Sequence, residues 1–207
     1  DLNYGLTQAM VPAGTTVTIR NANVEGKSYG NAANGTVIFE GCTFYNSGAY
    51  SIHFDSGNGN VIFKNCDLYG WNSFGASLTS VEFENCSLNG NGTYALIRSY
   101  VDLTLTNCVI NISNANHNDV YPEGVEVVNS ATLTENNVTY VVENQTALAD
   151  ALAAGKTNVT LTAGNYELSG LNFAANDVTL KGVDKANVVL NLEQSIYLQN
   201  KSVTLEN

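Results

Sequence analysis

One eight-residue pattern recurs along this chain and limits what it can fold into. The pattern is Val-x-Phe-x-Asn-Cys-x-Leu, and its four clearest copies begin at Val37, Val61, Val81 and Leu103. The central apolar residues of these copies are separated by 24, 20 and 22 residues. A repeat of this length corresponds to one structural unit that buries its apolar face only by stacking on its neighbours. The spacing therefore predicts a solenoid in which each copy forms part of one turn.

Each copy predicts a strand, a bend and a second strand. Val37 and Phe39 share one face of the first strand, because side chains alternate along a strand. The Asn or Gly that follows tolerates the left-handed backbone region, which bends the chain and turns Cys42 to the interior again. Copies stacked in register form inner columns of like residues about 4.8 Å apart, and Asn amides can hydrogen-bond along the stack. The predicted left-handed positions are Asn21, Gly41, Asn65, Asn85 and Asn107.

Weaker copies extend the pattern over nearly the whole chain. Their central residues are Ile19, Leu133, Leu161, Leu180 and Leu205. With the clear copies, they predict an all-β parallel solenoid of about nine or ten rungs. This pattern resembles the right-handed parallel β-helix of the pectate-lyase-like superfamily, and in particular bacterial cell-surface β-helix repeat modules. The resemblance implies the fold and its handedness but no single activity, because that superfamily includes lyases, glycosidases, adhesins and inert spacers.

A helical segment interrupts the strand pattern in the last third of the chain. Thr146 is suited to cap a helix near 146–154, and Gly155 is suited to end it. A capping helix resembles the way that this superfamily usually begins a solenoid. We therefore predict Asn/Cys-motif rungs in 1–140 and a capping helix with further rungs in 141–207, either as two adjoining solenoids or as one frame of a tandem array. The residues predicted to share the apolar face of the helix are Leu148, Ala151 and Leu152.

Composition and charge exclude several classes of function. The chain carries 19 acidic and 8 basic residues, for a net charge of −11. A nucleic-acid partner is excluded on this balance, because the phosphate backbone would be repelled. No apolar run approaches the roughly 20 residues that cross a bilayer, so membrane insertion is not expected. Nothing in the sequence points to a cofactor, and the resemblance implies a secreted or cell-surface location.

The four cysteines occupy one position of the repeat, at Cys42, Cys66, Cys86 and Cys108. A zinc site is not expected, because no Cys-x-x-Cys pair occurs and neither His lies near the motif. Adjacent rungs bring the Cα atoms within the range of a disulfide. However, side chains in a parallel stack point the same way, and Ala22 takes the equivalent position in the first copy. We expect a column of buried, reduced thiols that act as small hydrophobic residues.

Three charged residues between the motifs could bring chemistry to one lateral face of the solenoid. His53, Arg98 and Glu126 are predicted at outward positions of nearby rungs. A base beside a cation is what β-elimination of a uronate needs, because the cation neutralises the carboxylate and the base removes the α-proton. The superfamily's calcium-binding lyases carry a compact acidic block with basic partners, which this chain lacks. The paired Asp motifs of the related glycosidases are also absent. His53, Arg98 and Glu126 are the candidate catalytic residues if the protein is instead a polysaccharide lyase or glycoside hydrolase.

Aromatic residues recur in the segments between the motifs. Their apolar ring faces and polar tips suit stacking on sugar rings, and an Asn-rich wall can hydrogen-bond to sugar hydroxyls. The alternative is that several of these rings only fill the corners of the rungs. The candidate binding residues are Tyr50, Trp71, Tyr94, Tyr100 and Tyr121.

Together these features favour a structural or adhesive role over catalysis. Each rung of a solenoid contacts only its neighbours, so length can be extended by repetition. We expect a β-helix module with a polysaccharide partner, whose copies stack end to end into homo-oligomers or filaments. The alternative is a polysaccharide lyase or glycoside hydrolase that acts on an acidic polysaccharide. Catalysis predicts a groove in which His53 and Arg98 converge, whereas a structural role predicts a flat wall.

Overall fold

The computed structural model describes residues 5–25, 31–90, 96–112, 124–193, 196, 198 and 200–206, without the side chains of Glu25 and of 46–49. It confirms the all-β parallel solenoid, with about seven turns rather than the nine or ten predicted. Within the described residues, no helix has the length and apolar character needed to cross a bilayer. The strands are β1 (Thr16–Arg20), β2 (Asn23–Glu25), β3 (Asn31–Ala32), β4 (Thr36–Glu40), β5 (Thr43–Ser56), β6 (Asn60–Lys64), β7 (Asp67–Phe74), β8 (Ser80–Glu84), β9 (Ser87–Asn89), β10 (Ile97–Ser99), β11 (Leu103–Thr106), β12 (Val109–Ile112), β13 (Val125–Val127), β14 (Leu133–Asn136), β15 (Thr139–Val142), β16 (Asn158–Leu161), β17 (Gly164–Glu167), β18 (Asp177–Gly182), β19 (Val188–Asn191) and β20 (Ser202–Glu206).

The chain folds as two compact units. The first comprises the described parts of 1–109 and 116–138, and the second comprises those of 110–115 and 139–207. In the first unit, one six-stranded parallel sheet runs in the order β1-β4-β6-β8-β11-β14. In the second unit, β15, β16, β18 and β20 pair in sequence, and β17 pairs with β19. Each unit is therefore built from parallel sheets. The apolar face of such a sheet must be buried, and in a solenoid it is buried against the other walls of the same turns.

Like residues lie over like in the six-stranded sheet of the first unit. Phe39, Phe63 and Phe83 are in register on β4, β6 and β8. The rings of Phe39 and Phe63 stack with centroids 5.2 Å apart, and those of Phe63 and Phe83 stack at 4.5 Å. All three side chains are at most 2% exposed. The pattern of the sequence thus becomes a continuous aromatic column in the core.

A left-handed residue ends each strand of this sheet, as the sequence predicts. Asn65 and Asn85 have φ of 53°, Asn107 has φ of 52° and Gly41 has φ of 63°. The amide Nδ2 of Asn107 donates to Oδ1 of Asn85 at 3.2 Å, so neighbouring amides form a ladder. The bend turns the next residue inward, and the four cysteines are free and at most 2% exposed.

The register of the weaker copies differs from the prediction. Leu133 pairs with Leu103, and Glu135, not Leu133, pairs with Leu105. The left-handed residue of this copy is Asn137, with φ of 53°. Because this backbone conformation fixes where the strand ends, the register follows the Asn and not the apolar residue. Between the next two copies the register also differs, since Leu180 pairs with Val159 and Leu161 pairs with Gly182. Leu180 and Leu205 then pair as predicted.

The helix of the second unit, α1 (Gln145–Ala153), agrees with the predicted segment but begins differently. Its N-cap is Asn144 and not the predicted Thr146. The side-chain oxygen of Asn144 accepts from the backbone N–H groups of Thr146 and Ala147, each at 3.0 Å. These bonds satisfy two of the N–H groups that a helix start leaves without an intrahelical partner. The buried face consists of Ala147, Leu148, Ala151 and Leu152, which includes the three predicted residues.

The remaining strands of the first unit form the walls on which the candidate residues lie. The early part of β5 pairs with β2 and β7, and β7 pairs with β9. The late part of β5 pairs with β3 and with the end of β7, which continues to β10 and β13. The register between β5 and β7 shifts between Tyr45 and Tyr50, and again before Ile52. One long strand therefore serves two separate ladders, each with its own outward side chains.

Candidate functional site

The three predicted catalytic residues lie in one column on the outer wall of the first unit. His53 on β5 is in register with Ser73 on β7, which is in register with Arg98 on β10. Arg98 is in register with Glu126 on β13. We call these four residues the His53 column. His53 and Arg98 lie at outward positions because their neighbours along the strand, such as Ile52 and Phe54, are buried. Ser73 is itself only 6% exposed. His53 and Arg98 are two strands apart, about 10 Å along the ladder.

An ion pair fills the far end of the His53 column. The Nε atom of Arg98 lies 3.2 Å from Oε2 of Glu126, and the two side chains are 23% and 29% exposed. The guanidinium carbon of Arg98 also lies 5.2 Å from the centroid of the Tyr100 ring, in a cation–π arrangement. Glu126 therefore compensates the positive charge of Arg98, and the half-buried pair is screened less than an exposed pair.

His53 occupies the other end of the column and has its own acidic partner. Its Nε2 lies 2.8 Å from Oδ1 of Asp55. Burial lowers the pKa of His53, and the charge of Asp55 opposes that shift. In the neutral imidazole with Nε2 bonded to Asp55, the lone pair is on Nδ1. His53 can thus accept a proton at neutral pH, which is the property expected of a general base.

The predicted aromatic residues have different fates. Tyr50 stacks on His53 with ring centroids 4.8 Å apart and on Trp71 at 4.4 Å. Trp71 is only 7% exposed, so its indole offers little open surface, and its role in binding stays a prediction. The ring of Tyr50, which is stacked on the indole, covers one of its faces. Tyr50 and Tyr100 remain half-buried. Two further candidates, Tyr94 and Tyr121, lie outside the described residues.

The cysteine column is buried and linked by hydrogen bonds. The thiol of Cys66 donates to the carbonyl of Phe39 at 3.4 Å, and that of Cys86 donates to the carbonyl of Phe63 at 3.5 Å. A hydrogen bond from Cys86 lowers the pKa of Cys66 to about 7, and hydrogen bonds with Cys108 and Cys66 raise the pKa of Cys86. In the part of the chain that the structure describes, no three His, Cys, Asp or Glu residues are grouped to hold a metal ion. The thiols therefore contribute packing at this column.

Two tyrosines form an exposed pair that the sequence-based selection of binding residues missed. Tyr45 on β5 and Tyr69 on β7 are in register, and their side chains are 55% and 42% exposed. Their ring centroids lie 6.3 Å apart with an interplanar angle of 65°. The signal was present, because each tyrosine is the third residue after a motif cysteine, Cys42 or Cys66. We call these two residues the tyrosine pair.

Comparison with known proteins bears on the fold. Residues 9–165 match the family model described as a right handed beta helix region. The match spans the four clear copies of the repeat, the His53 column and the helix α1. No curated protein and no solved structure shows a significant match to the chain.

Proposed function

Because the chain belongs to the right-handed β-helix family, we propose that it is a structural repeat module that contacts glycans along an outer wall. The observation that carries this proposal is the His53 column, in which polar residues lie in register on four paired strands, with His53, Arg98 and Glu126 partly exposed and Ser73 buried between them. Half-buried aromatic rings, Tyr50 and Tyr100, flank the column. Repeated polar groups beside aromatic rings suit a polymer of sugar rings, which presents hydroxyls and apolar faces at regular intervals.

The charges of the wall favour binding over catalysis. The positive charge of Arg98 is already compensated by Glu126 at 3.2 Å. A cation that is compensated in this way is poorly placed to neutralise a uronate, and the net charge of −11 repels acidic polymers. A binding role needs only that the polar atoms exchange water for sugar hydroxyls. The proposal therefore has the wall act as a contact surface.

A panel of neutral and acidic polysaccharides, titrated by calorimetry, tests the proposal. The informative variant is the double change Arg98→Gln and Glu126→Gln, which removes both charges and leaves no unpaired ion in the wall. We expect it to weaken binding about tenfold, because charge-assisted contacts are worth on the order of 1.4 kcal/mol. The matched control is Lys64→Gln with Glu84→Gln, an ion pair of 2.9 Å on another sheet of the same unit. Failure of every polysaccharide to bind would contradict the proposal.

The second candidate function is a polysaccharide lyase. It is favoured by one observation, the neutral imidazole of His53 in the same column as Arg98. In that reaction Nδ1 of His53 would remove the α-proton of a uronate while Arg98 neutralised its carboxylate. The electron pair would form the C4–C5 double bond as the bond from C4 to the glycosidic oxygen broke, and the leaving sugar oxygen would take a proton from water. Incubation with polyuronates, followed by absorbance of the unsaturated product, tests this candidate. Product that forms with the wild-type chain and disappears in His53→Gln would favour catalysis over binding alone.

The proposal includes end-to-end association of copies outside the cell or at its surface. Support for association comes from an open cavity of about 350 Å³ in the second unit, lined in part by Leu190 and Leu205, and Leu205 is 52% exposed. Exposed apolar surface of this kind is suited to contact with another chain. Light scattering that shows a molecular mass rising with protein concentration would support association, and a constant monomer mass would contradict it.

The proposed location is tested separately, by surface labelling of intact cells that express the protein.

A further inference from the structure

The tyrosine pair is built differently from the buried aromatic pairs of the same unit. Phe63 and Phe83 stack nearly parallel, with an interplanar angle of 8°, and thereby hide their facing sides. Tyr45 and Tyr69 are instead tilted by 65°, at a centroid distance of 6.3 Å. Rings that are tilted and about half exposed keep their faces open to solvent. The tyrosine pair therefore presents apolar ring surface on an outer wall, where these rings are not needed to fill the core.

Polar residues surround the tyrosine pair on the same ladder. Tyr69 is in register with Asn89 on β9, and the neighbouring outward column contains Thr43, Asp67 and Ser87. The amide Nδ2 of Asn89 donates to the hydroxyl oxygen of Ser87 at 3.2 Å. Asp67 is exposed, and no basic residue is found at these six positions. These six positions thus combine ring faces, hydrogen-bonding groups and one negative charge, and Glu25 on β2 is the next residue in register beyond Tyr45.

This combination selects for the charge of the ligand. An exposed carboxylate accepts hydrogen bonds from hydroxyl groups, and it repels carboxylate or sulfate groups at short range. Pyranose rings of a neutral sugar offer an apolar face to a tyrosine and hydroxyls to Asn, Ser and Asp. A uronate or a sulfated sugar offers the same face but adds a negative charge beside Asp67.

We propose that the tyrosine pair, with Asp67 and Asn89, is a binding surface for a neutral polysaccharide. This inference rests on the proposed glycan-contacting function and adds a second wall and a ligand class to it. The polymer lies across β5, β7 and β9, with sugar rings stacked on Tyr45 and Tyr69. Its hydroxyls bond to the polar groups of the adjoining column.

Calorimetric titration of the full chain with neutral glucans and mannans, and with polyuronates as the charged comparison, tests the inference. We expect Tyr45→Ala or Tyr69→Ala to weaken the binding of the neutral polymer about tenfold, equivalent to about 1.4 kcal/mol. Phenylalanine at either position should lose less affinity, because the ring face remains. Met10→Ala is the matched control, since Met10 is 56% exposed in the same unit and lies outside these strands. Thermal unfolding of each variant confirms that the fold is kept.

The outcomes separate this inference from the function on which it rests. Loss of neutral-polymer binding in the alanine variants, with Met10→Ala unchanged, supports the inference. Binding that survives both alanine changes but is weakened by Arg98→Gln with Glu126→Gln overturns the inference and leaves the proposed function standing. Tighter binding of polyuronates than of neutral polymers through the tyrosines also overturns it. If no polysaccharide binds the wild-type chain, the result contradicts both this inference and the proposed glycan-contacting function.

Discussion

The two units of this chain use parallel ladders but keep them in register by different means. In the first unit, Phe63 stacks on Phe39 and Phe83, and a left-handed Asn or Gly ends each of these strands. In the second unit the pairing is mixed: Leu161 lies beside Gly182, whereas Leu180 lies in register with Leu205. The comparison teaches that a left-handed residue at the same position of successive copies carries one register through the six-stranded sheet of the first unit, whereas in the described pairs of the second unit like apolar residues match only between β18 and β20.

The second unit depends on contacts that are not part of a repeat. The side chain of Gln145 pairs with the backbone of Glu167 through two hydrogen bonds of 2.8 Å, in the manner of a neighbouring strand. The hydroxyl of the buried Tyr166 donates to the carbonyl of Val142 at 3.2 Å. Lys156 lies 4.6 Å above the ring of Tyr140. Individual contacts of this kind, together with the matched Val-Thr-Leu segments of β18 and β20, take the place of the aromatic column of the first unit.

We expect the largest loss of stability from a substitution that removes one ring of the aromatic column. Phe63→Ala should lower the free energy of unfolding by about 3–5 kcal/mol, because it removes a fully buried ring and its stacking on two neighbours. Leu180→Ala, a buried residue of the second unit, should cost less, toward the lower end of about 2–5 kcal/mol. Urea unfolding followed by circular dichroism measures both. Equal losses would mean that stacking in register adds nothing beyond burial.

The repeat allowed most of the first unit to be predicted, because one residue type carried the backbone information. Asn65, Asn85 and Asn107 each indicated both the bend and the inward cysteine that follows it. At the copy around Leu133 the two signals disagreed, since Asn136 and Asn137 are adjacent and the apolar residue is displaced. Apolar spacing alone then gave the wrong register. The same weakness affected the pairing of Leu161 with Gly182 in the second unit, whereas the copies around Leu180 and Leu205 were predicted in the right register.

The candidate site was predictable only in part. Alternation along a strand predicts which side chains point outward, but the exposure of a side chain depends on the residues that cover it. Alternation brought His53, Arg98 and Glu126 to one column. It could not reveal that Trp71 is covered, with the ring of Tyr50 stacked on its indole. That contact joins two neighbouring strands, β5 and β7, which local sequence does not describe.

A smaller loss of stability is expected from substitutions at Asn107, which separate the contribution of its left-handed backbone from that of its amide hydrogen bonds. Asn107→Ala should destabilise the protein by about 1–2 kcal/mol, because alanine at a φ of 52° is strained. Asn107→Gly should cost less, since glycine tolerates this region and Gly41 already occupies the same position of the repeat. Both variants lose the hydrogen bonds with Asn85 and Asn137, so the difference between them in thermal unfolding reports the strain of alanine less the extra backbone entropy that glycine loses on folding. Equal destabilisation would assign the role of Asn to its amide and not to its backbone.

The smallest effect concerns pH and distinguishes the units by their titrating groups. Burial depresses the pKa of His53 in the first unit, so on acidification the unfolded state takes up a proton first, near its usual pKa of about 6.5. Stability should therefore fall from about pH 6.5 down to the folded pKa of His53. In the second unit, hydrogen bonds from Ser169 lower the pKa of Glu167, and that contribution is lost only below about pH 4.3.

His53→Gln tests this assignment by removing the first contribution and leaving the second. The difference in melting temperature between about pH 7.5 and about pH 5 should shrink in the variant, because its unfolded state no longer gains a proton that the folded state refuses. Glu167→Gln should leave that interval unchanged and alter only the loss at lower pH. The effect is small because Asp55, 2.8 Å from Nε2, favours the protonated imidazole and partly cancels the cost of burial. If His53→Gln and the wild-type chain lose stability in parallel above pH 5, the imidazole titrates alike in both states and burial at this wall does not perturb it.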